Sequence, residues 1–89
     1  MSASPYDVSR GINARAVLEN PEFKAAMQDV RVAIREAVEL TAPGDAQMRE
    51  FLYQSLRALP MIEQALTRRM NTGAIAAVEL AQAENELGI

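Results

Sequence analysis

The chain has 89 residues, a formal net charge of −3, and no Cys, His or Trp. Such a length accommodates one small domain at most. The lack of Cys and His excludes a zinc finger, haem ligation by these residues, a disulfide framework and a catalytic His dyad. The negative net charge argues against a domain that binds nucleic acid with its whole surface, because such domains normally carry a clear positive excess.

The apolar residues make up 49% of the chain, but no run approaches the roughly 18–20 residues that span a bilayer. The N-terminus also lacks the apolar core of a signal peptide. We therefore expect a protein that is neither secreted nor membrane-spanning. β-Branched residues are scattered rather than alternating, so the pattern favours helices over strands.

Residues 1–11 contain Ser, Pro, Asp and Gly in turn-forming positions without helical periodicity. This pattern predicts an extended N-terminal arm over residues 1–11, either disordered or docked on a neighbouring subunit through Tyr6. Residues 12–89 are then expected to form a single helical domain that begins with a short helix over residues 12–19.

The first long helix is predicted over residues 21–41. Asn20 can cap its first turn, and Pro21 suits the first helical position. Its apolar residues recur at alternating spacings of three and four, which is the pattern of a helix with one packed face. These residues are Phe23, Met27, Val30, Ile34, Ala37 and Thr41.

A turn at residues 42–44 separates this helix from a second long helix, predicted over residues 46–70 with Asp45 as its cap. The second apolar row consists of Met48, Leu52, Leu56, Leu59, Ile62, Leu66 and Met70. Because so short a connection folds consecutive helices back on each other, the predicted fold is all-α. It is an antiparallel helical hairpin of two long helices, with short N- and C-terminal helices.

Two positions in the second half of the chain can interrupt the helices. Pro60 lacks the amide that would bond the Leu56 carbonyl, so it either kinks the second long helix or splits it in two. Thr72 and Gly73 indicate a break, after which a last helix is predicted over residues 74–87. Gly88 is expected to end that helix in the left-handed conformation, with Ile89 as its hydrophobic partner.

Catalytic and ligand-binding patterns are missing from the sequence. Acidic pairs such as Glu84 and Glu86 fall on helix faces that we expect to be solvated, and the four glycines never cluster into a phosphate-binding loop. We therefore expect no enzymatic activity, no catalytic residue, no metal or cofactor, and no small-molecule substrate.

Arg68 and Arg69 form the most basic stretch of the chain. They can contact phosphate, or they can pair with the negative end of a helix or with an acidic partner. Two adjacent arginines on an apolar helix do not resemble the polar recognition helix of a DNA-binding motif, so nucleic acid is disfavoured as a partner.

The apolar rows predict association through packing. One helical hairpin does not need all of these residues, and Val32, Val38, Phe51, Tyr53 and Leu80 lie outside the two rows. This second apolar surface can be used within the chain or by oligomerisation, with the chain itself or a larger protein as partner. The residues expected to carry association or core packing are Phe23, Met27, Val30, Ile34, Leu52, Leu56, Leu59, Ile62 and Leu66.

Three segments carry a resemblance to a known group of proteins: VLENPEF at residues 17–23, REFLY at 49–53, and TG at 72–73 before an Ala-rich end. Together they resemble small helical proteins of tailed bacteriophages, typically encoded among head and packaging genes. The resemblance covers about residues 15–80. It implies a structural or accessory protein of the virion or head–tail region, located in the virion or the host cytoplasm.

The same resemblance leaves two alternatives open. One is an oligomeric packaging protein similar to the oligomerisation hairpin of terminase small subunits, which form rings and recruit the packaging motor. The other is a small DNA-binding regulator.

Overall fold

The computed structural model describes residues 4–88 and contains three α-helices: α1 (Pro5–Glu19), α2 (Pro21–Glu39) and α3 (Ala46–Glu86). Residues 4–88 contain no β-strand. The predicted all-α class is confirmed. The predicted set of elements is not confirmed, because residues 4–88 form three helices and α3 combines the predicted second long helix and the predicted C-terminal helix.

The extended arm predicted over residues 1–11 is wrong for the described part of that segment. Helix α1 begins at Pro5, and the Ser4 hydroxyl accepts a hydrogen bond from the Tyr6 amide at 3.1 Å. A serine cap followed by proline at the first helical position is a helix start rather than a turn. Residues 1–3 of the predicted arm, and Ile89, lie outside the described residues.

Asn20 separates α1 from α2 and caps α2, as its position before Pro21 predicts. Its backbone is extended, with φ −69° and ψ 123°, and its side-chain oxygen accepts hydrogen bonds from the Glu22 and Phe23 amides at 2.8 and 3.1 Å. One extended residue therefore joins the two helices without a loop. Helix α2 ends at Glu39, two residues before the predicted end.

The connection from α2 to α3 is held by side chains at both of its ends. Asp45 caps α3 by accepting a hydrogen bond from the Met48 amide at 3.1 Å. The guanidinium of Arg49 donates to the Thr41 hydroxyl at 3.2 Å and to the Ala42 carbonyl at 2.9 Å. An arginine near the carbonyl end of α2 complements its negative dipole, so Arg49 fixes the reversal of direction.

Helix α3 runs through both positions at which the sequence predicts an interruption. It continues through Pro60, so the alternative of two helices joined there is wrong. It also continues through Thr72 and Gly73, so no separate helix begins at residue 74. Gly88 takes the left-handed conformation expected for it, with φ +73°.

The two shorter helices pack along α3 one after the other. Helix α2 pairs with its first half, where Arg31 forms an ion pair with Glu63, and α1 packs against its second half near Gly73. The result is elongated, with extents of 70 × 26 × 13 Å and a radius of gyration of 19.8 Å. A compact domain of this length has a radius of gyration of about 12 Å.

Helices α1 and α3 approach most closely where two glycines face each other. A Cβ placed on Gly11 would lie 2.8 Å from the Gly73 Cα and 3.1 Å from the Arg69 carbonyl oxygen. Both glycines are buried. Gly11 and Gly73 are therefore helix-packing residues, and this contact explains why neither acts as a break.

The interior of this arrangement is thin. Among residues 4–88, the buried apolar side chains are those of Ala14, Met27 and Ala76. No helix in the described part of the chain combines the length and the hydropathy needed to cross a membrane.

Candidate functional site

The contact between α2 and α3 gathers most of the residues that the sequence marks for packing. Met27 is buried, and Phe23, Ile34, Leu52, Leu56, Leu59 and Leu66 are half-buried. Val30 and Ile62 are exposed, although they belong to the same predicted rows. The two rows therefore do not meet squarely, and part of each faces solvent.

The described residues place no polar side chain in the interior of the fold. Between Ser4 and Gly88 no polar or charged residue is buried, and no buried side-chain nitrogen or oxygen lacks a hydrogen-bond partner. The same residues contain no group of three or more acidic side chains arranged to hold a metal ion. What the fold brings together are apolar and basic groups on its surface.

The most extensive of these surfaces lies on one side of the α2–α3 pair. On α3, the side chains of Leu52, Leu56 and Glu63 face α2. The flank formed by the residues one position before each of them in the chain is mostly exposed. On α2, the corresponding flank is formed by the residues one position before Met27 and Ile34 in the chain. Because the helices are antiparallel, equivalent flanks of the two helices face the same side of the pair.

We call this surface the apolar face. From α2 and its C-cap it comprises Ala26, Val30, Ala33, Ala37 and Leu40, and from α3 it comprises Met48, Phe51, Ser55, Ala58 and Ile62. It carries no charged residue, and Ser55 is its one polar side chain. Leu40 is 85% exposed, Phe51 62% and Ile62 47%, so the large side chains at both ends of the face are open to solvent.

The opposite side of the α2–α3 pair has a different composition. Val32 and Tyr53 lie there among charged and amide side chains. These charged and amide residues are Gln28, Arg35, Glu39, Glu50, Arg57 and Gln64. A solvated surface of a helix pair is expected to be of this mixed kind. The α2–α3 pair is thus amphipathic across its width, with one uncharged side and one polar side.

The apolar face stops where α1 begins to cover α3. The heptad step from Met48 to Ser55 and Ile62 continues to Arg69 and Ala76. The Arg69 backbone contacts α1 at Gly11, and Ala76 is buried. One side of α3 is therefore covered by α1 over its second half and left open over its first half.

A second surface collects arginines from two helices. Arg10 and Asp7 of α1 meet Arg68, Arg69 and Thr72 of α3 around a shallow depression of about 300 Å³. Three guanidinium groups against one carboxylate leave this depression with an excess of two positive charges. The guanidinium carbon of Arg10 also lies 5.4 Å from the centroid of the Tyr6 ring, within the range of a cation–π contact.

Arg68 and Arg69, the most basic stretch of the sequence, are exposed on α3, and Arg10 of α1 joins them although no pattern in the sequence indicates it. The missing information was that residues 5–10 are helical and lie beside α3. The apolar rows predicted from the sequence also include Val30 and Ile62, and they do not separate the residues that face the other helix from those on its flank. The sequence holds no signal that separates them, because Leu52, Leu59 and Leu66 have the same seven-residue spacing as Met48, Ser55 and Ile62.

Comparison with known proteins identifies no relative of this chain. No protein-family model matches the chain, and no curated protein or solved structure matches it significantly.

Proposed function

We propose that this chain is a non-enzymatic structural or accessory protein of a tailed bacteriophage, acting by helix-mediated assembly in the virion or head–tail region. The phage assignment rests on the resemblance of residues 17–23, 49–53 and 72–73 to small helical phage proteins. The assembly role is supported by the surface of the chain, with the antiparallel α2–α3 pair as its assembling unit.

The observation that carries the assembly role is the excess of exposed surface. The accessible surface of the chain is 6765 Å². A folded monomer of the same mass, 9.7 kDa, exposes about 5,100 Å². The excess of about 1,600 Å² is twice the area of about 800 Å² that each partner contributes to a standard interface. Association with another protein surface would remove this excess.

Light scattering coupled to size-exclusion chromatography tests self-assembly directly. We expect the full chain to elute with a mass that is a multiple of 9.7 kDa at micromolar concentration. A monomeric mass at the highest attainable concentration would contradict self-assembly. Quantitative mass spectrometry tests the particle role, because purified particles of the encoding phage should contain the chain at a fixed copy number.

The arginine depression supports a second candidate, an oligomeric packaging protein or small regulator that contacts DNA. Arg10, Arg68 and Arg69 could together engage backbone phosphates, since arginine is the better bidentate phosphate partner. This candidate requires DNA binding that weakens with salt and is lost when Arg68 and Arg69 are both replaced by Ala. Absence of binding at low salt would rule it out.

A further inference from the structure

We propose that a second copy of this chain covers the apolar face, so that two α2–α3 pairs form a symmetric four-helix bundle. The inference rests on the proposed assembly role and specifies the surface and the partner. The face is the uncharged side of an otherwise polar pair. An uncharged surface of this extent on a short, charged chain is costly to leave in water, because its apolar area gains about 25 cal/mol per Å² on burial.

The chain has no further segment among residues 4–88 to cover this face. Helix α1 already packs on the second half of α3, with Gly11 against Gly73. The segment from Ala81 to Gly88, at the C-terminal end of α3 and just beyond it, is exposed and lies at the far end of the molecule from Met48. Within residues 4–88 no helix is therefore left to cover the face, and we assign this role to a second copy.

The shape of the face suits a second copy. A two-fold interface uses the same patch on both partners, so the patch must be compatible with itself. The apolar face has no charge that self-pairing would bring against a like charge. Its large side chains lie near its two ends, at Leu40 with Phe51 and at Val30 with Ile62, and its small ones lie between them, at Ala33, Ala37, Ser55 and Ala58. Small residues at the centre allow two helix pairs to approach closely.

Charge at the edges decides how the two copies are placed. The outer edge of α2 is acidic, with Glu22, Asp29 and Glu36 at seven-residue spacing. The corresponding edge of α3 carries Gln54, Met61 and Arg68 at the same spacing. Stacking α2 on α2 of the other copy would bring the acidic edges together. Stacking α2 on α3 of the other copy separates them, so we infer this second arrangement.

In this arrangement the second copy completes the cover of α3. Its α2 lies over Met48, Phe51 and Ile62, in line with α1 of the first copy, which lies over residues beyond Leu66. The C-terminal half of the second copy's α2 then covers the first half of this side of α3, and α1 of the first copy covers the second half. The excess surface of about 1,600 Å² per chain exceeds the share of about 800 Å² that each partner gives to a standard interface.

The test uses two matched pairs of single substitutions in the full chain. Phe51→Glu and Ile62→Glu each place a charge on the apolar face, at side chains that are 62% and 47% exposed. Val78→Glu and Tyr53→Glu are their controls, on the same helix with similar exposures of 57% and 47%, but in register with the opposite, polar side of α3. Circular dichroism of all four variants should show unchanged helix content, because none of these side chains is buried.

We expect the unsubstituted chain and both controls to have twice the chain mass by light scattering. The two face variants should be monomeric at the same concentration, with a dissociation constant at least 100-fold weaker. If the unsubstituted chain is oligomeric and the face variants remain so, the face is wrong but the assembly role stands. If the unsubstituted chain is monomeric, both self-assembly and this inference fail.

The arrangement is tested with single cysteines, since the natural chain contains none. Ala33 and Ala58 lie at matching heights, as judged from the Arg31–Glu63 pair and the contact of Arg49 with Thr41. A mixture of Ala33→Cys and Ala58→Cys chains should form a mixed disulfide dimer on mild oxidation. Cross-linking of Ala58→Cys only to itself would overturn the placement of α2 on α3.

Discussion

Gly11 and Gly73 determine how closely α1 approaches α3. Each has a backbone atom of the other within 2.8 Å of the position that a Cβ would occupy. Atoms of two helix backbones cannot move aside individually, so a side chain at either position must push the helices apart. The two glycines therefore keep α1 docked, although glycine weakens a helix by about 1 kcal/mol relative to alanine.

We predict that Gly73→Ala lowers the melting temperature by about 5 °C. Overpacking costs about 1–3 kcal/mol and outweighs the gain of about 1 kcal/mol in helix propensity. The remaining loss of about 1 kcal/mol corresponds to a shift of this size in a domain of about 90 residues. Thermal unfolding followed by circular dichroism measures the change.

Gly44→Ala is the control for this prediction. Gly44 lies in the α2–α3 connection, and a Cβ placed on it meets no atom within 4 Å. Its substitution should leave the melting temperature almost unchanged. A Gly73→Ala variant that is more stable than the natural chain would show that α1 does not rest on α3 at this point.

At the scale of the element, α3 is a helix of 41 residues with Pro60 about a third of the way along it. Proline removes one backbone hydrogen bond and places its ring against the preceding turn. The helix nevertheless continues, because packing against α2 on both sides of Pro60 holds it together. The ion pair of Arg31 with Glu63 lies just beyond the proline, and Leu56 packs just before it.

We predict that Pro60→Ala raises the free energy of unfolding by about 2 kcal/mol. Alanine restores the amide that bonds the Leu56 carbonyl, which stabilises the helix by about 3 kcal/mol. The unfolded chain is freer with alanine than with proline, which lowers the free energy of unfolding by about 1 kcal/mol. Pro60 is exposed, so little packing is lost. Urea unfolding measures the change, and a decrease would show that the packing of α3 depends on a bend at Pro60.

The whole molecule is too extended to bury its apolar residues by itself. Its radius of gyration is 19.8 Å, and the buried apolar side chains among residues 4–88 are Ala14, Met27 and Ala76. Small domains with so little interior usually require a partner to be stable. Stability of the chain should therefore depend on association.

We predict that the melting temperature rises with protein concentration. If unfolding is coupled to dissociation of a dimer, a 100-fold increase in concentration stabilises it by about 2.7 kcal/mol, or about 5–10 °C. Differential scanning calorimetry at protein concentrations from about 5 to about 500 µM measures this shift. Phe51→Glu should melt at a lower temperature that does not depend on concentration, and an unsubstituted chain with a constant melting temperature would contradict the prediction.

The sequence by itself determined the helical class and most helix boundaries. Asn20 before Pro21, Asp45 before α3, and Gly88 after it act through their nearest neighbours, so their roles can be read locally. The apolar rows of α2 and α3 are likewise local patterns. They predict that the helices pack, but they do not distinguish the row that faces the other helix from the row beside it.

Only the tertiary structure decided whether Gly11, Gly73 and Pro60 interrupt a helix. The same residues can end a helix or lie within one, and the outcome depends on whether another helix packs against them. The tertiary structure also decided which part of the apolar surface remains open, because α1 covers the second half of α3 and leaves the apolar face exposed. Contacts between residues far apart in the chain set both outcomes, and no local pattern contains them.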